Sequence, residues 1–317
     1  MTRAPVLLVL RALGLGDFLA AVPAYRGLVR AFPGHHRVLA APRALHPLLA
    51  LLEGVFAGAL DAQPLAPLPE AAARAAVAVN LHGSGPASHR VLLATQPGRL
   101  IAFAHPDIPA SAEGPAWNAH EHEVARWCRL LEHARFATDA RDLGLAVPAL
   151  AVPGERRGAT ILHAGAASAA RRWPAKRWVE VARACRARGE RVLLSGSGIE
   201  RPLALAIAER AGLPETRVVA GETTLLELAA LVAQARCVLS GDTGIAHLAS
   251  AYGVASIVLF GPTPPQHWGP PQHPRHRVIW TGRTGNPNAE APDRGLLEIT
   301  SARVIAELAN LRDGAED

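Results

Sequence analysis

The sequence predicts an α/β fold with two doubly wound domains, each built on a parallel sheet with helices on both faces. Apolar runs of strand length alternate with longer helical patterns along the chain. A stretch rich in Ala and Pro, from residue 147 to 157, has little periodicity and separates this alternation into two halves. The length of 317 residues also suits two domains better than one. We therefore expect one domain at residues 1–150 and a second at residues 151–317.

Apolar runs predict the strands of the first domain, at Val6–Leu10, Arg37–Ala40 and Ala76–Asn80. Apolar side chains then recur at three- and four-residue spacing from Phe18 onward, which predicts a helix over residues 18–31. Asp17 stands directly before this helix and is a candidate for its N-cap.

The second domain repeats the alternation of strands and helices. Its predicted strands are Thr160–His163, Arg191–Ser195, Arg217–Ala220, Cys237–Ser240 and Ser256–Phe260. Its predicted helices lie near Trp178–Arg188, Pro202–Ala211, Leu225–Ala233 and Thr300–Leu311, the last capped by Thr300 or Ser301.

Cysteine usage and the N-terminal segment indicate the compartment. The cysteines Cys128, Cys185 and Cys237 are odd in number and widely spaced, which favours a reducing compartment over a disulfide framework or a structural zinc site. The apolar N-terminal run is interrupted by Arg11 and Asp17 before it could complete a signal peptide or a membrane span. We expect a cytoplasmic protein.

The net charge of +6 and the pI near 10.1 do not indicate a nucleic-acid-binding protein. The basic residues are scattered, Lys176 is the only lysine, and aromatic residues make up only 4% of the chain. A basic stripe interleaved with stacking aromatics is missing from the sequence, so we expect no nucleic-acid partner. The charge instead fits attraction to anionic substrates or to a membrane surface.

Ligands of doubly wound sheets bind beyond the carboxyl ends of the strands, so the turns there are the candidate sites. The first turn runs from Arg11 to Asp17, and its glycines match only the first two positions of a dinucleotide fingerprint, because Leu19 occupies the third. Asp17 is either a functional carboxylate or the helix cap. After another predicted strand, His82 stands in a glycine-containing turn that lacks a nucleophile elbow, because Leu81 replaces the required glycine.

Two turns of the second domain carry polar side chains. Ser168 can donate a hydrogen bond, and Arg171 or Arg172 can form bidentate contacts with phosphate, although a solvated arginine pair beside the helix entry at Pro174 is the alternative. In the next turn Glu200 can bind ribose hydroxyls, or it can serve the dipole of the helix that follows.

The turn from residue 240 to 247 combines a strand end, a glycine and a helix start. Asp242 or Thr243 can cap the new helix, and the N–H groups near Gly244 together with the helix dipole attract anions. This geometry suits a diphosphate, while an ordinary strand–turn–helix joint is the alternative.

The segment His120-Glu121-His122-Glu123 is the nearest approach to a metal site. It lacks the spacing of a His-Glu-x-x-His motif, so we interpret it as an acceptor-side surface or a solvated helix start. We expect no metal and no cofactor.

Four motifs occur in a fixed order along the chain. They are Leu15-Gly16-Asp17, Arg171-Arg172-Trp173-Pro174, Asp242-Thr243-Gly244-Ile245-Ala246-His247 and Phe260-Gly261-Pro262-Thr263. With these motifs the sequence resembles glycosyltransferase family 9, the heptosyltransferase family, over essentially the whole chain. It departs from the family at Arg171, where the residue is commonly lysine.

The resemblance implies a GT-B architecture, in which two Rossmann-like domains face each other across a cleft. The N-terminal domain would bind the acceptor and the C-terminal domain the nucleotide-sugar donor. Asp17 would be the general base, and the donor contacts would be Ser168, Arg171, Glu200, Asp242, Thr243, Gly244 and His247. Arg11, Gly16 and His82 are candidates for the acceptor side.

The implied reaction is inverting and metal-independent transfer of a sugar from a nucleoside-diphosphate sugar, ADP-heptose above all, to a glycan or lipid-linked acceptor. We expect a monomer with peripheral membrane association at the inner face of the plasma membrane. The alternatives are a non-catalytic nucleotide-sugar-binding protein of the same shape and a nucleotide-sugar epimerase. A pure binder has no need of Asp17, and an epimerase needs further acid and base groups that the sequence does not reveal.

Overall fold

The computed structural model describes residues 4–313, and the chain divides into two compact units between Ala146 and Val147. Each unit is built on one five-stranded sheet whose paired strands are all parallel. The predicted α/β class with two parallel sheets is therefore confirmed.

The first unit alternates strands with helices. Its strands are β1 (Val6–Leu10), β2 (His36–Ala41), β3 (Gly58–Asp61), β4 (Val77–Asn80) and β5 (Leu100–Ile101). Its α-helices are α1 (Leu15–Ala20), α2 (Val22–Ala31), α3 (Ala87–Leu93) and α4 (Glu123–His133). The strand order is β3-β2-β1-β4-β5, which places β1 at the centre, where Leu7, Leu8 and Val9 are fully buried. Such a central parallel strand is covered on both faces and therefore forms from an unbroken apolar run.

The single helix predicted over residues 18–31 is wrong in two respects. It begins earlier, at Leu15 with Gly14 as N-cap, so Asp17 lies inside the first turn of α1 and is not the cap. It is also interrupted at Ala21, and a second helix, α2, begins at Val22 with Pro23 in its first turn. Proline has no N–H to continue the hydrogen bonds of α1, whereas a helix tolerates it at the start.

The second unit has the strand order β10-β9-β8-β6-β7, with the bounds that follow. The strands are β6 (Thr160–His163), β7 (Val192–Ser195), β8 (Cys237–Gly241), β9 (Ala255–Leu259) and β10 (His276–Ile279). The α-helices are α5 (Ala175–Ala187), α6 (Arg201–Ala211), α7 (Leu225–Ala233), α8 (Gly244–Ala251), α9 (Pro265–Trp268), α10 (Arg294–Glu298) and α11 (Ser301–Asp313). Thr300 caps α11, since its hydroxyl accepts a hydrogen bond from the Arg303 N–H at 3.3 Å.

The predicted strand at Arg217–Ala220 is wrong. Only Val218 pairs with the sheet, in an isolated bridge to Leu194 of β7. The N–H groups of Val219 and Ala220 both donate to the Leu194 carbonyl, so the pairing with β7 is irregular and no regular strand forms. The sequence analysis also missed three short strands, β3, β5 and β10, each of which lies at an edge of its sheet.

Two tryptophans fix the segment that connects β6 to α5. The rings of Trp173 and Trp178 pack edge to face with centroids 5.2 Å apart, and both side chains are buried. Trp173 Nε1 donates to the Ile299 carbonyl at 2.9 Å. This aromatic anchor holds the chain just after Arg171 against the body of the second unit.

The three cysteines are buried free thiols. Burial raises the pKa of Cys185 and of Cys237 to about 12, which keeps these thiols protonated and unreactive at neutral pH. Within residues 4–313, no helix combines the length and the apolar composition needed to span a bilayer.

Candidate functional site

In each unit the candidate residues gather where the order of strand addition reverses. In the first unit this point lies between β1 and β4, and in the second unit it lies between β6 and β8. A crevice forms there because the connections on either side leave in opposite directions. The two sites are described one unit at a time.

Arg11, directly after β1, organises the site of the first unit. Its side chain is fully buried, its Nε donates to the Asp17 carbonyl at 2.9 Å, and its Nη1 donates to the Leu81 carbonyl. Its Nη2 is shared by two carboxylates, at 3.3 Å from Asp17 Oδ1 and 2.9 Å from Glu123 Oε1. The arginine thus joins the end of β1 to α1, to the segment after β4 and to the start of α4.

Glu123 is a member of this site that the sequence analysis named only within the His120–Glu123 segment and did not connect with Arg11. It is only 5% exposed, it accepts a hydrogen bond from Trp127 Nε1 at 2.9 Å, and it forms an ion pair with Arg126. The Arg11 guanidinium lies 4.7 Å from the centroid of the Trp127 ring. A signal was present in the sequence, since Glu123, Trp127 and Leu130 follow helical spacing and share the buried face of α4.

Asp17 is the more accessible of the two carboxylates that contact Arg11. It lies in the first turn of α1, and 29% of its side chain is exposed although its partner Arg11 is fully buried. Burial raises the pKa of Asp17, the charge of Arg11 lowers it, and the charge of Glu123 raises it again. The net direction is upward, so this carboxylate binds protons more readily than an ordinary aspartate.

His82 lies beside the same loop. Its Nδ1 accepts a hydrogen bond from the Ala12 N–H at 3.2 Å, and the main-chain N–H of His82 donates to Asn80 Oδ1 at 2.9 Å. Because Nδ1 accepts, the ring is neutral in this arrangement. Burial and the charge of Arg11 lower the pKa of His82 to about 4. Gly16 is the second residue of α1, next to Asp17.

Arg171 links the two loops at the crevice of the second unit. Its Nη1 donates to the Asp242 carbonyl at 3.1 Å, which joins the loop after β6 to the loop after β8. Its buried Nε has no hydrogen-bond partner among the described residues. A Cβ on Gly241 would lie 3.2 Å from the Arg171 carbonyl, so the close approach of these loops favours glycine there.

The start of α8 lies at the same crevice. Thr243 occupies the N-cap position, but its hydroxyl donates to the Gly241 carbonyl at 3.4 Å and makes no capping bond to the helix as described. The first turn from Gly244 therefore lacks the side-chain cap expected from Asp242 or Thr243. One turn further on, the His247 ring packs edge to face against Trp268 with centroids 5.9 Å apart.

Glu200 and Ser168 both have structural tasks. Glu200 Oε2 accepts hydrogen bonds from the N–H and the hydroxyl of Ser197, at 2.7 and 2.9 Å, in a capping box. Its Oε1 lies over Gly165, where a Cβ would come within 1.9 Å of it. The Ser168 hydroxyl donates to the Ala289 carbonyl at 3.2 Å and accepts from the Ala170 N–H at 3.3 Å.

The segment from His120 to Glu123 does not gather its side chains. Glu121 pairs with Arg129 at 2.8 Å, the His122 side chain caps α4, and Glu123 is buried against Arg11. Across the part of the chain that the structure describes, no group of three or more His, Cys, Asp or Glu side chains could hold a metal ion.

Solved structures share this fold over nearly the whole chain. The E. coli ADP-heptose LPS heptosyltransferase II is 21% identical, with 98% of this chain and 100% of that chain covered and a TM-score of 0.77. The E. coli heptosyltransferase WaaC with ADP is 16% identical, with 96% and 99% covered and a TM-score of 0.71. The E. coli iron-containing dodecameric glycosyltransferase TibC is 15% identical, with 99% of this chain and 78% of that chain covered and a TM-score of 0.62. The architecture is therefore that of GT-B glycosyltransferases.

The family follows from the sequence itself. The model of glycosyltransferase family 9 (heptosyltransferase) matches residues 116–296, more than half of the chain, so the chain belongs to this family. The resemblance inferred from the four motifs is confirmed, and the protein is a glycosyltransferase. No curated protein matches the sequence.

The neutral state of His82 predicts a pH dependence of stability. The folded protein protonates this ring only below about pH 4, whereas an unfolded chain does so below its ordinary value of 6.5. Between these values the unfolded state binds more protons, so stability falls as the pH falls. His82→Asn keeps an oxygen that can accept from the Ala12 N–H but cannot titrate, so we expect a smaller loss of unfolding free energy from pH 6.5 to pH 4. Urea titrations across this range measure it.

The matched control is His36→Asn, which changes an exposed histidine at the start of β2. It leaves His82 and its hydrogen-bond partners intact, so the loss of stability that His82 causes should remain. Equal slopes for the wild type and His82→Asn would contradict the assigned state of His82.

Proposed function

We propose that the protein is an inverting, metal-independent glycosyltransferase that moves a heptose from ADP-heptose, or a related nucleoside-diphosphate sugar, to a hydroxyl of a glycan or lipid-linked acceptor. The observation that carries the proposal is the partly exposed Asp17 carboxylate held beside the fully buried Arg11. Family membership supports the reaction class, and the donor is suggested by the relatives described with ADP and with ADP-heptose.

Asp17 is the proposed general base. Its carboxylate takes the proton of the acceptor hydroxyl while the hydroxyl oxygen attacks C1 of the donor sugar, opposite the diphosphate. The bond from C1 to the diphosphate oxygen breaks, and the configuration at C1 inverts. A base whose pKa is raised is better suited to this step than an ordinary aspartate, because proton transfer becomes more favourable.

The second unit supplies the proposed donor site. Negative charge develops on the departing diphosphate, and Arg171, the N–H groups at the start of α8, the Thr243 hydroxyl and His247 are the groups that would stabilise it. Ser168 is the further proposed phosphate contact, Glu200 the ribose contact through Oε1, and Asp242 the group facing the sugar.

A lipid-linked acceptor would bring the protein to the inner face of the plasma membrane. The net charge of +6 supports attraction to anionic lipids there. A glycosyltransferase is favoured over a non-catalytic binding protein or an epimerase for two reasons. The family is one of glycosyltransferases, and Asp17 keeps a partly accessible carboxylate. The monomeric state stays a prediction.

Replacing Asp17 by Asn tests the base. Asn keeps an oxygen for the bond from Arg11 but cannot take the proton, so we expect single-turnover transfer to fall by roughly 100- to 10,000-fold. Donor affinity and melting temperature should change little by comparison. Asp61→Asn, in an exposed carboxylate at the end of β3, is the matched control and should retain full turnover. Near-normal turnover of Asp17→Asn would refute the assigned base.

Replacing Arg171 by Ala tests the donor site. Loss of a charged hydrogen bond to phosphate should weaken the binding of ADP by about 1.5–3 kcal/mol, or roughly 10- to 150-fold in Kd. Calorimetry on the full chain with ADP, UDP and GDP measures this loss, and ADP should bind most tightly. Arg172→Ala is the control, because that neighbouring side chain is exposed and its Nε donates to the Ala166 carbonyl. Equal ADP affinity of the wild type and Arg171→Ala would remove Arg171 from the site.

Metal independence is tested with a chelator. The proposed stabilisation of the diphosphate uses arginine, histidine and N–H donors, so transfer should persist in excess EDTA. The control is the same enzyme with added magnesium or iron, which should not raise the rate. Loss of activity in EDTA with recovery on adding either metal would contradict this part of the proposal.

A further inference from the structure

Two carboxylates compete for one nitrogen of Arg11. Nη2 lies 2.9 Å from Glu123 Oε1 and 3.3 Å from Asp17 Oδ1, so the shorter of the two ion pairs is the one with Glu123. Arg11 Nε and Nη1 donate to main-chain carbonyls, which leaves Nη2 as the nitrogen that contacts side chains among the described residues.

The location of the two carboxylates differs in a way that matters for catalysis. Glu123 is buried among Arg11, Arg126 and Trp127, and these contacts account for the position of its carboxylate without a substrate. Asp17 retains an exposed fraction of 29%. An arginine paired only with Asp17 would stabilise the carboxylate form and weaken it as a base.

We propose that Glu123 is a positioning residue that takes most of the Arg11 ion pair away from Asp17 and so keeps the Asp17 carboxylate basic enough to accept the acceptor proton. Arg11 then fixes Asp17 in place through the main-chain carbonyl, at 2.9 Å, more than through the side chain. The consequence for catalysis rests on the proposed function of Asp17, whereas the competition for Arg11 does not.

The charged and titratable groups around Asp17 agree with this arrangement. Burial and Glu123 raise its pKa, and Arg11 lowers it. From α2, Tyr25 is fully buried with its pKa raised, and from the segment after β4, His82 stays neutral above about pH 4. Arg126 of α4 pairs with Glu123 on the side away from Arg11, through the other carboxylate oxygen.

The test is a pH titration of the Asp17 carboxyl carbon by NMR in the full chain labelled with ¹³C-aspartate, with the resonance assigned by its loss in Asp17→Asn. In Glu123→Gln the charge of Arg11 acts on Asp17 alone, so the Asp17 midpoint should fall. In Arg126→Gln the charge of Glu123 is balanced by Arg11 alone, so Glu123 draws Arg11 more strongly and the Asp17 midpoint should rise. The opposite signs separate this electrostatic role from a loss of packing, which would move both midpoints the same way.

Glu121→Gln is the matched control. It removes the same charge two residues away, from a side chain that pairs with Arg129 and does not touch Arg11, so the Asp17 midpoint should stay that of the wild type. Near-ultraviolet circular dichroism shows whether each variant is folded. If Glu123→Gln does not fold, Arg126→Gln decides alone, with a raised midpoint supporting the proposal and an unchanged or lowered one overturning it.

An unchanged Asp17 midpoint in folded Glu123→Gln, or shifts of the same sign in both variants, would overturn the proposal. The titration needs neither donor nor acceptor. Normal turnover of Asp17→Asn would therefore refute the proposed base while leaving the measured competition for Arg11 intact, and the two failures remain distinguishable.

Discussion

The buried guanidinium of Arg11 is the constraint on which the site of the first unit depends. Burying a cation costs several kcal/mol unless its N–H groups find acceptors and its charge finds partners. Arg11 is fully buried and meets both needs, with the carbonyls of Asp17 and Leu81 and with the carboxylates of Asp17 and Glu123. Because losing any of these partners would leave a buried donor or charge unsatisfied, α1, α4 and the segment after β4 are positioned together.

In the second unit, Arg171 joins two loops in a similar way to Arg11, but with fewer hydrogen bonds. Arg171, like Arg11, comes from the loop after the first strand of its sheet and donates to a main-chain carbonyl of the loop across the crevice, here that of Asp242. The bond again spans the point where strand addition reverses, between β6 and β8. Arg171 has a buried Nε without a described partner, whereas Arg11 has acceptors for all three nitrogens. Arg11 is therefore held by more hydrogen bonds than Arg171, and its side chain positions more of the surrounding chain.

The sequence predicted best those elements whose own residues determine them. Strand β1 was predicted to the residue, because a central parallel strand must be an apolar run. Helix α7 was also predicted to the residue, and Thr224 and Glu227 form the capping box at its start. Strands β3 and β5 were missed because four and two residues at a sheet edge carry too little apolar pattern to be recognised.

The residues of the candidate sites also differ in how well the sequence predicts them. Asp17 and Arg171 could be identified from their place after strands and from the family motifs. Glu123 could not, because it stands in a run of histidines and glutamates that is typical of a solvated helix start. Its burial results from Arg11, which is distant in sequence and meets it only in the folded unit. A polar residue whose partner is remote leaves only the weak signal of its helical face.

Arginine and lysine would fit the two positions differently. At Arg11 the acceptors lie in several directions, at the Leu81 carbonyl, the Asp17 carbonyl and two carboxylates, and only a planar fork of five N–H groups reaches all of them. A lysine ammonium at the same place would satisfy fewer of these groups and leave Asp17 less firmly held. Among the described residues, the Arg171 side chain makes one hydrogen bond, to the Asp242 carbonyl, which one ammonium could also make. The lysine that the family commonly has at that position is therefore compatible with this geometry. The chain favours arginine throughout, since Lys176 is its only lysine. The hydrogen bonds require an arginine at position 11 but not at position 171.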